Sequence, residues 1–469
     1  MSAVKQFKAL VLGSGQGGTP LTMALAAAGH KVALIEGRHI GGTCVNEGCT
    51  PTKTMVASAK IAYHARRQAE YGVSSPSAGG VTVDMSVVRK RKRDIVDSFR
   101  RGSEGRLEKA ENVSVVRGKA KFVGVKEVEV DLSAGGMERL KAEWVFLNVG
   151  CRPSPLTIPG ADTVEVLDST SIMELDVVPE HLVVIGGGYV GLEFAQMFKR
   201  FGSKVTIVQR AGQLMGREDA DIADEVRRIL EEDGLDLLLN SKAERIEKLF
   251  DGQIKITIKV SDQEREVRCS HILAAAGRVP NTDDLGLERT GVEVGKGGFV
   301  KVNQKLETSV DGIYALGDVK GGPAFTHISY DDFRILKHNL LSPQATPLTT
   351  TSRLVPYTVF IDPQLGRIGL TETEARQQNV KIRVAKMPMA WVARALEMDE
   401  SRGIMKVIVE ADGDQILGCA ILGVEGGEVM SMIQIAMMGR LPWWRLRDGV
   451  FAHPLLAEGL NNLFAGLEG

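Results

Sequence analysis

The stretch Ala9-Leu10-Val11-Leu12-Gly13-Ser14-Gly15-Gln16-Gly17-Gly18 decides the fold. Four apolar residues in a row describe a strand buried on both faces, and they run straight into a G-x-G-x-x-G turn. An Ala-rich helical stretch follows through Ala28, then a second strand, Val32-Ala33-Leu34-Ile35, that ends at Glu36. Gly13 makes the tight turn, Gly15 lets a pyrophosphate approach the backbone, and Gly18 lets helix and strand pack closely. The helix N-terminus then offers unpaired N–H groups to the phosphates. Glu36 falls where an acid accepts hydrogen bonds from a ribose. Glycine clusters also mark ordinary loops, but here strand, helix, second strand and terminal acid occur together, which makes this a dinucleotide-binding unit.

Working outward, the unit recurs. Val183-Val184-Ile185 leads into Gly186-Gly187-Gly188-Tyr189-Val190-Gly191, a helical stretch, and the strand Val205-Thr206-Ile207-Val208. A shift of 173 positions carries Gly13, Gly15, Gly18, Gly29 and Lys31 onto Gly186, Gly188, Gly191, Gly202 and Lys204 without a gap. Two such units imply two bound dinucleotides, with hydride transfer between them as the expected chemistry. The same shift sets Glu36 opposite Gln209, which Arg210 follows. A carboxylate suits a free ribose 2′-OH and repels a 2′-phosphate, whereas a neutral residue beside arginine tolerates the phosphate. The first site is therefore expected to take FAD and the second NADPH. NADH stays open, since glutamine also bonds a 2′-OH.

Beyond the first unit lies Gly41-Gly42-Thr43-Cys44-Val45-Asn46-Glu47-Gly48-Cys49-Thr50-Pro51-Thr52-Lys53, then an Ala-rich segment from Met55 to Ala62. Glycine and proline ahead of such a segment place the cysteines at a helix start, where the dipole favours thiolate and lowers the thiol pKa. The four residues between them, Gly48 included, let the sulfurs reach bonding distance if the first turn is distorted. Incidental buried thiols and half a metal site are the competing readings. No second Cys or Cys-His pair has ligand spacing, so no metal site is expected. Next to an FAD unit, Cys44 and Cys49 read as a redox disulfide. Cys151, Cys269 and Cys419 sit among apolar neighbours and read as buried structural thiols. Five sparse cysteines make a poor disulfide framework and point to the cytoplasm.

The segment GGTCVNEGCTPTK resembles the active-site signature of the class I pyridine nucleotide–disulfide oxidoreductases, a family that includes dihydrolipoamide dehydrogenase, glutathione reductase and mercuric reductase. The resemblance runs nearly end to end. It takes in GGGYVGLE from Gly186 to Glu193, Ala275-Ala276-Gly277-Arg278-Val279-Pro280-Asn281, TSVDGIYALGD from Thr308 to Asp318, and His453-Pro454 with Glu458. It implies that Cys49 is the flavin-proximal thiol of the charge-transfer contact and that Cys44 is the interchange thiol that meets substrate. By the same likeness, Lys53 and Glu193 match an ion pair beside flavin and nicotinamide, where a cation would stabilise reduced flavin. Asp318 matches a residue that bonds the ribityl and phosphate region of FAD. Gly42, Thr43 and Gly277 fall in cofactor-binding motifs. His453 and Glu458 match an acid/base pair, which thiol–disulfide exchange needs because one sulfur must lose a proton and another gain it. The family donates this His across a dimer interface, so a homodimer is implied.

The implied fold class is α/β: two Rossmann-like dinucleotide-binding domains, for FAD and NAD(P), plus a C-terminal α+β dimerisation domain. The FAD domain is expected over residues 1–150 and 281–345, with the NAD(P) domain inserted at 151–280. The polar joint Ser342-Pro343-Gln344-Ala345-Thr346-Pro347 then introduces the dimerisation domain, 346–469. With 58 basic and 59 acidic residues, the chain gives no reason to expect nucleic acid or a charged membrane surface as partner. The run Arg89-Lys90-Arg91-Lys92-Arg93 reads as a solvated helix face, and Trp443-Trp444 as an interface or core pair. No membrane span and no signal peptide are expected.

The acceptor is less legible. Phe451 stands where many dihydrolipoamide dehydrogenases carry a His, Thr50-Pro51-Thr52 where Ile-Pro-Ser is commoner, and Gln209 where NAD-using members carry an acid. The likeness is nearest to mercuric-reductase-like bacterial proteins and the reactive-chlorine-resistance flavoproteins. The segment Gly322 to Arg334, GPAFTHISYDDFR, resembles the latter in particular. Mercuric reductases deliver Hg(II) through a C-terminal cysteine pair, whereas the tail here, Asn461 to Gly469, has no thiol and no metal-binding module precedes Gly13. The expected activity is NAD(P)H oxidation coupled, through FAD and the Cys44–Cys49 disulfide, to a small-molecule disulfide or soft-metal-ion acceptor. The alternatives are a dihydrolipoamide dehydrogenase, or a flavin NAD(P)H oxidase or quinone reductase that does not need the dithiol.

Overall fold

The computed structural model describes residues 3–74, 80–261, 263–351 and 353–468. The chain divides into two compact units. The first comprises Met1–Thr54, Arg89–Ser154 and Gly277–Arg353; the second comprises Met55–Val88, Pro155–Ala276 and Leu354–Gly469.

In the first unit, the quoted apolar run belongs to the strand Lys5–Leu12, which pairs in parallel with Val32–Glu36 on one side and Met137–Leu147 on the other. Val113–Gly124 extends the parallel sheet beyond Val32–Glu36, and Ile313–Ala315 extends it beyond Met137–Leu147. Glu127–Leu132 runs antiparallel between the far halves of Val113–Gly124 and Met137–Leu147. The alternating geometry of a strand explains why so short a run is wholly apolar. Leu10, Leu12, Ala33 and Ile35 enter one core with Leu147 and Ala315. Ala9, Val11, Val32 and Leu34 enter another with Leu21 and Leu25 of the helix Gly18–Ala27 and Phe333 and Leu336 of the helix Thr326–Leu341. Both faces are covered, and each fully buried Val, Leu or Ile contributes ~1.5–3 kcal/mol.

The helix Thr326–Leu341 is held by charge as well as by packing. Asp332 is 0% exposed; its Oδ2 accepts the Gly317 N–H at 2.9 Å, and its carboxylate pairs with Arg353 at 2.6 Å and Lys320 at 3.3 Å. A buried carboxylate is tolerable only with such partners.

The second unit repeats the parallel architecture. Its sheet runs Asp236–Leu238, Lys204–Val208, His181–Ile185, His271–Ala274, Val166–Leu167, all in parallel, with the helix Tyr189–Phe201 following His181–Ile185. A three-stranded antiparallel sheet, Ser241–Lys248, Ile254–Val260 and Gln263–Cys269, follows in sequence. The C-terminal part is a five-stranded antiparallel sheet in the order Tyr357–Val359, Gln364–Gly369, Ile416–Gly423, Ile404–Glu410, Ile382–Pro388. Against it lies the helix Gly426–Met438, which buries Val429, Met430, Ile433 and Ala436. Lys406 is 2% exposed, and its ammonium lies 3.0 Å from Asp219, 3.0 Å from Asp221 and 2.9 Å from Glu372.

One surface expectation needs correction. Arg89 to Arg93 do lie in a helix, Met85–Glu108, but Lys92 is only 3% exposed and Arg91 donates to the Thr54 carbonyl at 2.8 Å. The run is therefore not a uniformly solvated face: Lys92 turns inward while Lys90, Arg91 and Arg93 stay exposed. Among the described residues, no helix is long and apolar enough to cross a membrane.

Candidate active site

The repeat seen in the sequence reappears as repeated geometry. Gly13 has φ +99°, and a Cβ there would lie 2.5 Å from the Asn148 carbonyl oxygen; Gly186 has φ +117°, and a Cβ there would lie 2.6 Å from that of Ala275. A Cβ on Gly18 would fall 2.2 Å from Gly13 O, and one on Gly191 2.1 Å from Gly186 O. No side chain fits at these positions, because helix and loop approach at backbone distance.

The residues at the strand tips also correspond. Glu36 Oε2 accepts from Ser14 N–H at 2.9 Å and from Ser14 Oγ at 2.6 Å, while Oε1 accepts from Arg38 N–H at 2.8 Å. Gln209 Oε1 accepts from Gly187 N–H at 3.1 Å, and its Nε2 donates to Gln213 O at 3.1 Å. Ser14 and Gly187 are themselves one repeat apart. Each strand-tip residue thus clamps its own glycine loop, a role that the ribose argument did not anticipate. Arg210 is exposed, with no ion pair among the described residues.

In the first unit, Ser14 extends the clamp. It is wholly buried, and its Oγ accepts the Gly41 N–H at 3.1 Å, which ties Glu36 to the loop that opens the dithiol segment. Asn148 supports the glycine turn from behind, its Nδ2 donating to Gly13 O at 3.1 Å. Neither residue was singled out in the sequence.

Cys44 and Cys49 lie in different helices. Cys44 is central in a single turn, Gly42–Asn46; Cys49 opens the long helix Cys49–Arg67, with Lys53 one turn further on. Gly48 allows the join, since a Cβ there would lie 3.0 Å from Thr43 O and 3.4 Å from Cys44 Cα. The two sulfurs share a hydrogen bond, which, with burial, pushes the Cys44 thiol well above its ordinary value. The expected lowering of thiol pKa therefore does not hold for Cys44. The Cys49 sulfur, by contrast, sits at the positive end of the longer helix. The Cys49 sulfur also lies 3.3 Å from Thr326 Oγ1.

The features present fit FAD. A Cβ on Gly42 would come within 2.7 Å of Gly15 Cα, so bare backbone is presented where a pyrophosphate must approach. Thr43 beside it is exposed. Asp318 lies in the turn Gly317–Lys320 after Ile313–Ala315, and its carboxylate takes no hydrogen bond among the described residues. Burial pushes that carboxyl up, against the pull of Arg278 and Lys320. Such an acceptor suits sugar-alcohol hydroxyls.

Other predicted residues are placed as follows. Glu193 is buried in the helix Tyr189–Phe201 and accepts the Phe360 N–H at 2.8 Å. Lys53 and Glu193 fall in different compact units. The Gly277 carbonyl accepts the Ser154 N–H at 3.0 Å. His453 Nδ1 and Glu458 Oε2 lie 2.9 Å apart, both partly exposed. Cys151, Cys269 and Cys419 are buried, their thiols pushed up to about 11, 12 and 12.

Two glycine-loop nucleotide folds and a hydrogen-bonded dithiol beside the first define a flavin-dependent disulfide oxidoreductase as a class. The chain belongs to the pyridine nucleotide-disulphide oxidoreductase family, whose model matches residues 7–332 and whose dimerisation-domain model matches residues 355–464. It is thus an FAD-dependent enzyme that uses a pyridine nucleotide. It is 37% identical to the probable pyridine nucleotide-disulfide oxidoreductase RclA of Escherichia coli, over 98% of this chain and 99% of that one. It is 32% identical to the mercuric reductase of Staphylococcus aureus, over 96% of this chain and 81% of that protein. The Cu(II) complex of the HOCl-induced flavoprotein disulfide reductase RclA from Escherichia coli superposes with a TM-score of 0.89 at 36% identity, covering 98% of this chain and 99% of that one.

Proposed function

We propose that this enzyme passes electrons from NADPH, by way of FAD, to a Cys44–Cys49 disulfide and on to a small-molecule disulfide or soft-metal ion. The observation that carries the reading is the placement of the dithiol: Cys44 and Cys49 share a hydrogen bond, and Cys49 stands at a helix start with the Thr326 hydroxyl 3.3 Å from its sulfur.

FAD, when bound, supplies a two-electron relay between a hydride donor and a dithiol. The FAD fold draws on residues 1–150 and 281–345, with Gly13, Gly15, Gly18, Glu36, Gly42, Thr43 and Asp318 as its contacts. The nicotinamide nucleotide would be held by Gly186, Gly188 and Gly191 within residues 151–280, with Gln209, Arg210 and Gly277 as further candidate contacts. As the Cys44–Cys49 bond breaks, Cys49 takes the negative charge and Cys44 takes a proton. In the second half, the Cys44 sulfur attacks the substrate disulfide. His453 removes the Cys44 proton and returns it to the departing sulfur, and Glu458 fixes the imidazole tautomer. Cys49 then attacks Cys44, which restores the internal disulfide and releases the second thiol. The sum is NADPH, a proton and a disulfide giving NADP⁺ and two thiols.

A homodimer over residues 346–469 fits this scheme. The outer face of Gly426–Met438 carries Met432, Ile435 and Met438 at three-residue spacing, the last two 68% and 67% exposed. A helix apolar on both faces calls for a second partner. His453 and Glu458 share that partly exposed C-terminal region with Val450 and Leu455.

The test is turnover with NADPH against oxidised glutathione, lipoamide, Hg(II), Cu(II) and quinones. A disulfide or soft-metal ion should be reduced at least ~10-fold faster than any quinone. Quinone reduction that dominates and survives loss of Cys44 would favour the oxidase or quinone-reductase reading. Coenzyme choice has its own test. Gln209→Glu keeps an oxygen on the Gly187 N–H, as Glu36 does on Ser14, but sets a charge against a 2′-phosphate. Like-charge juxtaposition costs several kcal/mol, so kcat/KM for NADPH should fall on the order of 10²-fold with NADH little changed. Equal losses for both coenzymes would remove Gln209 from the selectivity argument.

A further inference from the structure

The first turn of the helix Thr326–Leu341 reaches the dithiol from a segment 277 residues away in sequence. Thr326 Oγ1 and Cys49 Sγ lie 3.3 Å apart, and the same hydroxyl also hydrogen-bonds to the Cys44 thiol. We propose that Thr326 is a working member of the dithiol site: its hydroxyl donates to the Cys49 sulfur and stabilises the pair in its singly ionised form. This rests on the reading of Cys44 and Cys49 as the redox pair and adds the residue that sets its acidity.

Three features support a fixed placement of that hydroxyl. Phe325 and His327, on either side of Thr326, stack with centroids 5.4 Å apart and planes at 9°, which pins the turn that aims the side chain. Further along the same helix, buried Asp332 is tied to Gly317, Lys320 and Arg353, so the helix cannot slide without stranding a charge. Finally, a Cβ on Gly17 would lie 2.8 Å from Ser329 O, so the FAD-loop helix and this helix meet at backbone distance. The hydroxyl is therefore held by the same framework that shapes the first glycine loop. A sulfur anion gains from a donor fixed before ionisation, because little reorganisation is needed. The Thr326 hydroxyl also favours ionisation at Cys44, opposing the effects that hold that thiol up. Its removal should therefore make the whole pair less acidic.

The experiment uses holoenzyme reduced with NADPH under argon. Two quantities are followed against pH in wild type, Thr326→Val, Thr326→Ala and Thr326→Ser: the long-wavelength absorbance of reduced enzyme, and the rate of alkylation of Cys44 and Cys49 by iodoacetamide, resolved by mass spectrometry. Val and Ala should each raise the midpoint of both profiles by about one pH unit, with alkylation at pH 7 about tenfold slower. Ser should restore both to within ~3-fold. Flavin content equal to wild type excludes a folding defect, and the Ala variant covers any misfit of the Val methyl groups. Profiles unmoved in both Val and Ala, with wild type still showing redox-dependent alkylation, would overturn the role of Thr326 and leave the dithiol reading intact. Wild-type alkylation indifferent to NADPH would overturn both.

Discussion

Cys49→Ser is expected to bind FAD normally, accept electrons from NADPH, and lose disulfide reduction by on the order of 10³-fold or more. The reason lies in the division of labour between the two sulfurs. The hydrogen bond to Cys49, with burial, raises the Cys44 thiol above its ordinary value and favours the proton there. Cys49 is where charge can reside, at the first residue of a 19-residue helix and 3.3 Å from the Thr326 hydroxyl. A serine keeps the shape and can still meet Thr326. Its hydroxyl does not ionise near neutral pH and cannot bond to Cys44 sulfur in an exchangeable way. The long-wavelength band of the reduced enzyme should vanish with the thiolate. Cys44→Ser should behave differently, keeping the band but losing turnover with disulfides. Anaerobic NADPH titration of both variants decides the matter: a band that persists in Cys49→Ser would assign the charge to the wrong sulfur.

Gly191→Val should separate the two nucleotide sites. A Cβ at Gly191 would sit 2.1 Å from Gly186 O and 3.3 Å from Val184 Cγ1, and valine adds two methyl groups to that clash. The helix Tyr189–Phe201 must move away from its strand, carrying its N-terminus with it. Displacing a binding group by about 1 Å costs on the order of 10²-fold, and the strain is ~1–3 kcal/mol or more. The first unit contains no part of this contact. Flavin content should therefore stay near one per chain and dithionite should still bleach it, while reduction by NADPH in stopped flow slows at least ~10²-fold. Loss of flavin in parallel would mean that the two folds are not independent in this respect.

Much of this was open to inspection in the chain itself. The glycine repeat at 13–18 and 186–191 needed only local pattern, because a strand, a tight turn and a helix are encoded within about thirty neighbouring residues. The spacing between Cys44 and Cys49, and between His453 and Glu458, is local too. Asn148 and Thr326 are different. They meet Gly13 and Cys49 across 135 and 277 positions, and nothing near either residue marks the meeting. The segment around Thr326 did stand out as family-like, yet a resemblance names a stretch and not which atom touches sulfur. The raised Cys44 thiol is hidden from the sequence for a related reason. The helix-start argument treats the cysteines alike, whereas the folded chain places them in two helices and lets one hydrogen-bond the other. Lys92 failed as a surface residue because its helix presents successive side chains to different environments, which a run of five like charges conceals.

The clamp at the strand tips bears on how coenzyme preference in such a chain could drift or be engineered. Position 209 supplies an oxygen to the Gly187 amide and, on the proposed reading, also discriminates at the ribose. Alanine, serine or arginine there would relax the second requirement while leaving a main-chain donor unanswered. The workable alphabet thus narrows to side chains ending in a carboxylate or carboxamide of glutamine length, so a change of preference made at this position runs through the Gln-to-Glu exchange, and any other must come from neighbours such as Arg210.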